Sequence, residues 1–228
     1  MPFHGLPARL SEIRDRIEAA RARGGHGQDV RIVAVTKTHG PEAVDAAVAC
    51  GLGDVGENKV QEALDKMAAV TVPVRWHLIG HLQRNKAKAA TRFALVHGLD
   101  SVRLADALAR AAADAGTVLD VLVQVNVSGE ESKSGIGLAE VAPLAAHLAT
   151  LPALRVRGAM TMAPYDAPEG VLRRCFAGAR AARATLVAEG HEHADALSMG
   201  MSGDYEIAVE EGATLVRLGT ILFGTRGE

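Results

Sequence analysis

The residues in this chain best suited to chemistry are one lysine, one arginine and two short glycine-containing loops. Lys37 closes the stretch Val30-Arg31-Ile32-Val33-Ala34-Val35-Thr36-Lys37, whose β-branched residues read as a buried strand between Asp29 and Gly40-Pro41. A lysine at the carboxyl end of a core strand can act as an amine nucleophile, because burial disfavours the ammonium form and frees the lone pair for imine formation. On strand position alone, a lysine that simply snorkels into water is the preferred reading. Far downstream, Ser198-Met199-Gly200-Met201-Ser202-Gly203-Asp204 runs into a short helix, which places Ser202 and the amides around Gly203 at a helix start. Arg217-Leu218-Gly219-Thr220 follows, where Gly219 permits close backbone approach and Thr220 adds a hydroxyl.

Either loop alone reads as a tight turn with an N-cap. On adjacent strands, the two together read as a phosphate cup. An imine-forming amine beside a phosphate site serves two chemistries: a pyridoxal phosphate Schiff base, and a Schiff-base aldolase acting on a sugar phosphate. Arg217 helps to separate them, since it sits where it could face the pyridine nitrogen of a cofactor whose phosphate lies just beyond. A guanidinium keeps its proton, so it would leave that nitrogen unprotonated and weaken the cofactor as an electron sink. An ion pair inside a barrel is the structural alternative. Asn58, at the polar end of Asp54-Val55-Gly56-Glu57-Asn58, offers either a hydrogen-bonding wall for the ring or a strand-end turn.

These residues need elements to hold them. Leu6, Leu10, Ile13 and Ile17 fall on one face of an amphipathic first helix. After the Lys37 strand, helices are expected from Pro41 to Gly51 and along Val60, Leu64 and Met67. Strands then follow at 75–80, 94–99, 119–127, 154–160, 196–199 and 214–218. Helices separate them at 83–92, from Ser101, at 138–151, after Pro168 and at 205–211. About eight strands alternating with helices in 228 residues fit a (β/α)₈ TIM barrel, read as a single domain over 1–228, better than a doubly wound open sheet. In such barrels the site lies at the carboxyl ends of the strands, with phosphate often bound after strands seven and eight, where both glycine loops fall.

A net charge of −2 gives no whole-molecule argument for nucleic acid or an anionic membrane. Cys50 and Cys175 are far apart and make no metal-ligand pattern, in keeping with a reduced cytoplasmic chain. The start, Met1-Pro2-Phe3-His4-Gly5, shows no signal peptide, and the most apolar run, 119–127, is too short to span a bilayer.

Longer motifs carry a resemblance. Trp76-His77-Leu78-Ile79-Gly80-His81-Leu82-Gln83-Arg84-Asn85-Lys86 resembles the signature of the pyridoxal phosphate homeostasis protein family, also called the proline synthetase co-transcribed family. Ala34-Val35-Thr36-Lys37, Gly56-Glu57-Asn58-Lys59-Val60-Gln61-Glu62, Val125-Asn126-Val127-Ser128 with Ser132-Lys133-Ser134-Gly135, and Gly158-Ala159-Met160-Thr161-Met162 agree with it in order, as do both glycine loops. Leu78 and Lys59 depart from it, standing where many relatives carry aromatic residues. The resemblance implies an alanine-racemase-like barrel without the racemase's second domain, and pyridoxal 5'-phosphate held as an internal aldimine on Lys37. It implies phosphate contacts at Ser202, Gly203, Gly219 and Thr220, ring contacts from Asn58 and Met160, and Arg217 at the pyridine nitrogen. It also implies a cofactor buffer or carrier with little turnover, serving pyridoxal-phosphate-dependent apoenzymes, and a monomer.

An amino-acid racemase remains the rival within this fold. It needs proton donors on both faces of the substrate, and the only tyrosines, Tyr165 and Tyr205, fall in loop or helix-start positions. His77 reads as a satisfied core or rim histidine, and His191-Glu192-His193 as a solvated loop rather than a metal site. Met160, Met162, Met199 and Met201 read as barrel filling and cofactor-side packing. The polar run from Gln83 to Lys88 reads as a solvated helix face, and Lys133 as a surface lysine.

Overall fold

In the computed structural model, which describes residues 3–129 and 134–224, the alternation closes on itself. Eight parallel strands are hydrogen-bonded in sequence order: β1 (Arg31–Val35), β2 (Asp54–Glu57), β3 (Arg75–Leu78), β4 (Leu95–Leu99), β5 (Leu119–Gln124), β6 (Leu154–Met160), β7 (Ala196–Ser198) and β8 (Leu215–Leu218). Strand β8 returns to β1 with Val33 opposite Arg217 and Ala34 opposite Leu218, so no sheet edge remains. The outer layer comprises α1 (Leu6–Gly24), α2 (Pro41–Ala49), α3 (Val60–Ala69), α4 (Ala87–Ala90), α5 (Val102–Asp114), α6 (Val141–Leu148), α7 (Glu169–Ala188), α8 (Tyr205–Glu210) and α9 (Thr220–Phe223).

Period-two alternation along each strand creates two cores. Residues pointing outward, such as Ile32, Ala34, Val96, Val121 and Val216, join the helices in one large cluster. Inward positions form a smaller cluster of Val33, Val35, Ile79, Leu95, Leu122, Met160, Ala196 and Leu215. Two residues along from five of these stand His77, His97, Gln124, Ser198 and Arg217, all buried. The lumen is therefore packed partly with apolar side chains and partly with polar ones. Helix α1 buries Leu6, Leu10, Ile13 and Ile17, as their spacing predicts, and is tied to the end of the chain where Arg9 Nε donates to the Leu222 carbonyl at 2.8 Å.

Strand β6 depends on Gly158, whose φ of 138° suits glycine and where a Cβ would collide with the Ala196 carbonyl of β7. The other departures from the sequence reading lie at element ends. Strand β1 stops at Val35, two residues before Lys37. Strand β5 stops at Gln124, beyond which Val125 makes only an isolated bridge to Ile136. The segment expected as one helix over 83–92 is a 3₁₀ turn, Arg84–Lys86, followed by the single turn of α4. The helix expected from Leu138 starts as a 3₁₀ turn and becomes α-helical only at Val141, because Pro143 has no N–H to donate to residue 139. Among the described residues no helix is long and apolar enough to cross a membrane.

Candidate functional site

At the carboxyl ends of the strands a cavity of about 840 Å³ is bounded by Lys37 and Asn58 on one side and by Ser202, Gly203, Gly219 and Thr220 on the other. Arg217, Ile79, Val35 and Gln124 also line it. The loops after β1, β2, β7 and β8 thus bring together seven of the eight residues singled out from the sequence. The eighth, Met160, is only 1% exposed and packs in the apolar cluster of the lumen, while Met162, two residues on, lines the cavity.

Lys37 is placed differently from the sequence expectation. It is exposed on a turn and is not the buried last residue of a strand, so desolvation does not supply its nucleophilicity in this structure. The backbone explains the change: His39 N–H donates to the Thr36 carbonyl at 3.1 Å, closing a turn around Lys37 and Thr38. Thr38 sits at φ 70°, a strained value for a β-branched residue, at a cost of about 1–3 kcal/mol. A network that runs from the surface to a buried ion pair holds it there. Glu62 Oε1 accepts the Thr38 N–H at 2.6 Å, and Lys66 Nζ donates to the Thr36 carbonyl at 2.7 Å, to Glu57 Oε1 at 2.7 Å and to Glu62 Oε1 at 3.2 Å. Thr36 Oγ1 donates to the same Glu57 oxygen at 2.6 Å. Burial pushes the Glu57 carboxyl up, opposed by the Lys66 ammonium and the Thr36 hydroxyl.

On the opposite wall, Ser202 Oγ accepts the Ile221 N–H at 3.4 Å, linking the loop after β7 to the start of α9. Among the described residues the amides of Ser202, Gly203 and Thr220 have no acceptor, and all three residues line the cavity. A Cβ on Gly203 would meet nothing within 4 Å, whereas one on Gly219 would press on Val35 Cβ at 3.3 Å. The carboxylate in this wall, Asp204, accepts the Met201 N–H at 2.6 Å and so serves its own turn. Asn58 is pinned by the turn after β3, where Gly80 lies so close that a Cβ would strike the Asn58 carbonyl.

Arg217 rises from β8 beneath the cavity, 4% exposed, donating Nη1–H to Ser198 Oγ at 2.6 Å and Nη2–H to the Thr161 carbonyl at 2.9 Å. Burial pushes its guanidinium down to about 10, against the opposing charge of Asp204, and it stays cationic at neutral pH. Its partners are a hydroxyl and a carbonyl, not the ion pair that was the structural alternative.

The matches to known proteins agree with this geometry. The family model described as alanine racemase, N-terminal domain, matches residues 8–227. A protein of Aquifex aeolicus named pyridoxal phosphate homeostasis protein is 42% identical over 222 residues, covering 96% of this chain and 97% of the relative. The chain belongs to the pyridoxal phosphate homeostasis protein family. The family's Escherichia coli K12 member is 40% identical over 225 residues, covering 95% of each chain. Among solved structures, PipY of Synechococcus elongatus PCC7942 with pyridoxal phosphate bound superposes with a TM-score of 0.85 at 34% identity, covering 96% of this chain and all of that one.

Several residues at the site have a role that the sequence does not show. Glu57 and Glu62 belong to a motif that carries the resemblance, but nothing in their spacing ties them to Lys66 or to the Lys37 turn they hold. Ser198 was seen only as the start of a loop, and His97 only as part of a strand. Their inward register two residues from Ala196 and Leu95 is the pattern that could have found them. His191 Nε2–H donates to the Ala145 carbonyl at 2.9 Å, and no metal-binding cluster occurs among the described residues. Residues 84, 85, 86 and 88 are exposed. Lys133 lies outside the described residues.

Proposed function

We propose that this protein binds pyridoxal 5'-phosphate covalently at Lys37 and holds it for buffering or for delivery to apoenzymes that need it, with little turnover of its own. The observation that carries the reading is the single cavity in which an amine on the loop after β1 faces the two amide- and hydroxyl-rich loops after β7 and β8. Bound pyridoxal phosphate supplies an aldehyde that condenses with an amine, with loss of water. Lys37 provides that amine from an accessible turn. Ser202, Gly203, Gly219 and Thr220 offer hydroxyls and unshared amides to a phosphate dianion, the chemistry expected of such loops at the carboxyl face of a barrel. Asn58 and Arg217, which line the cavity, would supply a hydrogen-bonding wall for the ring and a cation for its nitrogen, with Met160 packed in the lumen.

The carrier reading over turnover rests on three features. Arg217 withholds a proton from the ring nitrogen, which weakens electron withdrawal. Tyr205 is 3% exposed and packs with the outer core, and Tyr165 stands 97% exposed at the mouth, where neither is fixed as a proton donor to a bound substrate. The curated relatives are named for homeostasis. Measuring α-hydrogen exchange on a panel of amino acids with the loaded protein separates the two: the carrier reading expects none at enzymatic rates, and turnover of 1 s⁻¹ or more, the ordinary enzymatic range of about 1–10³ s⁻¹, overturns it. Loss of the visible absorbance in Lys37→Ala, with the fold intact, is the companion result expected of the binding site.

A further inference from the structure

Arg217 holds its charge in the barrel lumen, and among the described residues no carboxylate touches its guanidinium. What it touches begins a hydrogen-bonded path that runs to the opposite end of the barrel. Ser198 Oγ lies 2.9 Å from His97 Nδ1, His97 Nε2 lies 2.9 Å from His77 Nδ1, and His77 Nε2 lies 2.8 Å from Asp54 Oδ1. The path passes from β8 through β7, β4 and β3 to the first residue of β2, and each of its five residues is buried. Arg75 closes the far end, gripping Asp54 with Nε at 2.7 Å and Nη2 at 2.6 Å.

With both imidazoles neutral, the carboxylate at one end and the guanidinium at the other set the direction of every bond between them. A guanidinium only donates, so Ser198 Oγ accepts from Arg217, and the relay directs its own hydrogen to His97 Nδ1. His97 therefore carries its hydrogen on Nε2 and gives it to His77 Nδ1. His77 then carries its hydrogen on Nε2 and gives it to Asp54, a carboxylate that only accepts. A second proton on His97, at Nδ1, would displace the Ser198 hydrogen from that bond. Its complete burial and the nearby charges of Arg217 and Arg31 also disfavour that proton.

We infer that Asp54, His77, His97 and Ser198 are positioning residues that form a one-way hydrogen-bond relay, presenting Ser198 Oγ to Arg217 only as an acceptor and so fixing the guanidinium beneath the cofactor site. Nothing is transferred along the relay; its role is to lock both imidazoles in a single tautomer and to hold one donor face of Arg217, leaving the rest of the guanidinium for the cavity. The role assigned to Arg217 rests on the pyridoxal phosphate reading, whereas the tautomers are a property of the protein without any ligand.

Two measurements test it separately. In ¹⁵N-histidine-labelled protein, two-bond ¹⁵N–¹H correlation spectra at neutral pH are expected to show two buried rings, His77 and His97, both neutral and both protonated at Nε2. A cationic ring or an Nδ1–H tautomer at His97 overturns the relay, whether or not the protein binds pyridoxal phosphate. In the loaded protein, Ser198→Ala is expected to remain trappable by borohydride at Lys37, to shift the visible band of the bound cofactor and to weaken its retention about tenfold, as for loss of one hydrogen bond to a charged group. Ser198→Thr, which keeps the hydroxyl, is expected to restore both. An unchanged band and retention in Ser198→Ala overturns the positioning role. If Ser198→Ala does not fold, the tautomers of the parent protein still decide the relay. A parent protein with no visible band contradicts the pyridoxal phosphate reading and leaves the ring spectra to judge the relay alone.

Discussion

Replacing Lys66 by methionine isolates the network that holds the Lys37 turn. Methionine keeps the length and much of the volume of the side chain but removes the ammonium that faces Glu57, whose side chain is 0% exposed, at 2.7 Å. The carboxylate would then keep only the Thr36 hydroxyl on Oε1, while Oε2 already lacks a partner among the described residues. Stripping one partner from a buried ion pair costs about 3–5 kcal/mol when the other stays charged. Glu57 has an escape, because it can bind a proton. Neutral pH lies about 2.5 units above the ordinary glutamate value of 4.5, so holding it protonated costs about 3.4 kcal/mol at about 1.36 kcal/mol per unit, which caps the penalty. The sign follows. A carboxyl raised in the folded state loses stability as pH rises from its ordinary value toward the folded one, so Lys66→Met is most damaging at neutral pH and recovers on acidification. Thermal or urea unfolding should show a loss of about 3 kcal/mol at pH 7, equivalent to a fall of about 6–12 °C in Tm for a chain of this size, and about 1.4 kcal/mol at pH 5.5. Adding Glu57→Gln should recover most of the loss at pH 7, because a neutral amide needs no counterion. A Lys66→Met protein within 1 kcal/mol of the parent at both pH values would refute the buried pair and the clamp built on it.

Two further substitutions probe the scaffold. Gly158→Ala should cost more than about 3 kcal/mol in urea unfolding, since it combines a φ of 138° with a Cβ driven into the Ala196 carbonyl, and a neutral result would contradict the β6–β7 register. Burial pushes Asp54 up, but its hydrogen bonds with His77 and Arg75 outweigh this and hold the carboxyl well below its ordinary 3.8. Its stabilisation is therefore present above that value and lost as pH falls below it. Asp54→Asn should destabilise by about 2–3 kcal/mol at pH 7, with the gap to the parent narrowing in acid-unfolding curves below pH 3.8; a gap that does not depend on pH would contradict this.

The barrel was legible because short, largely apolar strands alternate with helices that have clean stops such as Gly51 and an N-cap such as Ser101, whose Oγ accepts the Leu104 N–H at 3.3 Å. The two glycine loops were legible for a related reason: a short strand, a glycine and a hydroxyl in fixed order leave few conformations. The Lys37 turn was not. Nothing local marks residues 36–39 as a turn, since Thr38 is β-branched and no glycine is present; the positive φ is imposed by Glu62, 24 residues away. Lys66 was hidden for a related reason. The apolar face of α3 was read as Val60, Leu64 and Met67, whereas the residues it buries are Val60, Ala63 and Lys66, because a charge satisfied by tertiary partners breaks the hydrophobic pattern. His77 was rightly placed in the core, but its partners His97, Ser198 and Asp54 lie on three other strands, and only closure of the barrel brings them together.

Whether Lys37 is the residue that holds pyridoxal phosphate is open to direct test. Borohydride reduction of the loaded protein fixes the cofactor on its lysine, and peptide mass mapping then names that lysine. One modified peptide is expected, the one containing Lys37. Modification at another lysine, or none in a protein that retains the cofactor, would rule Lys37 out.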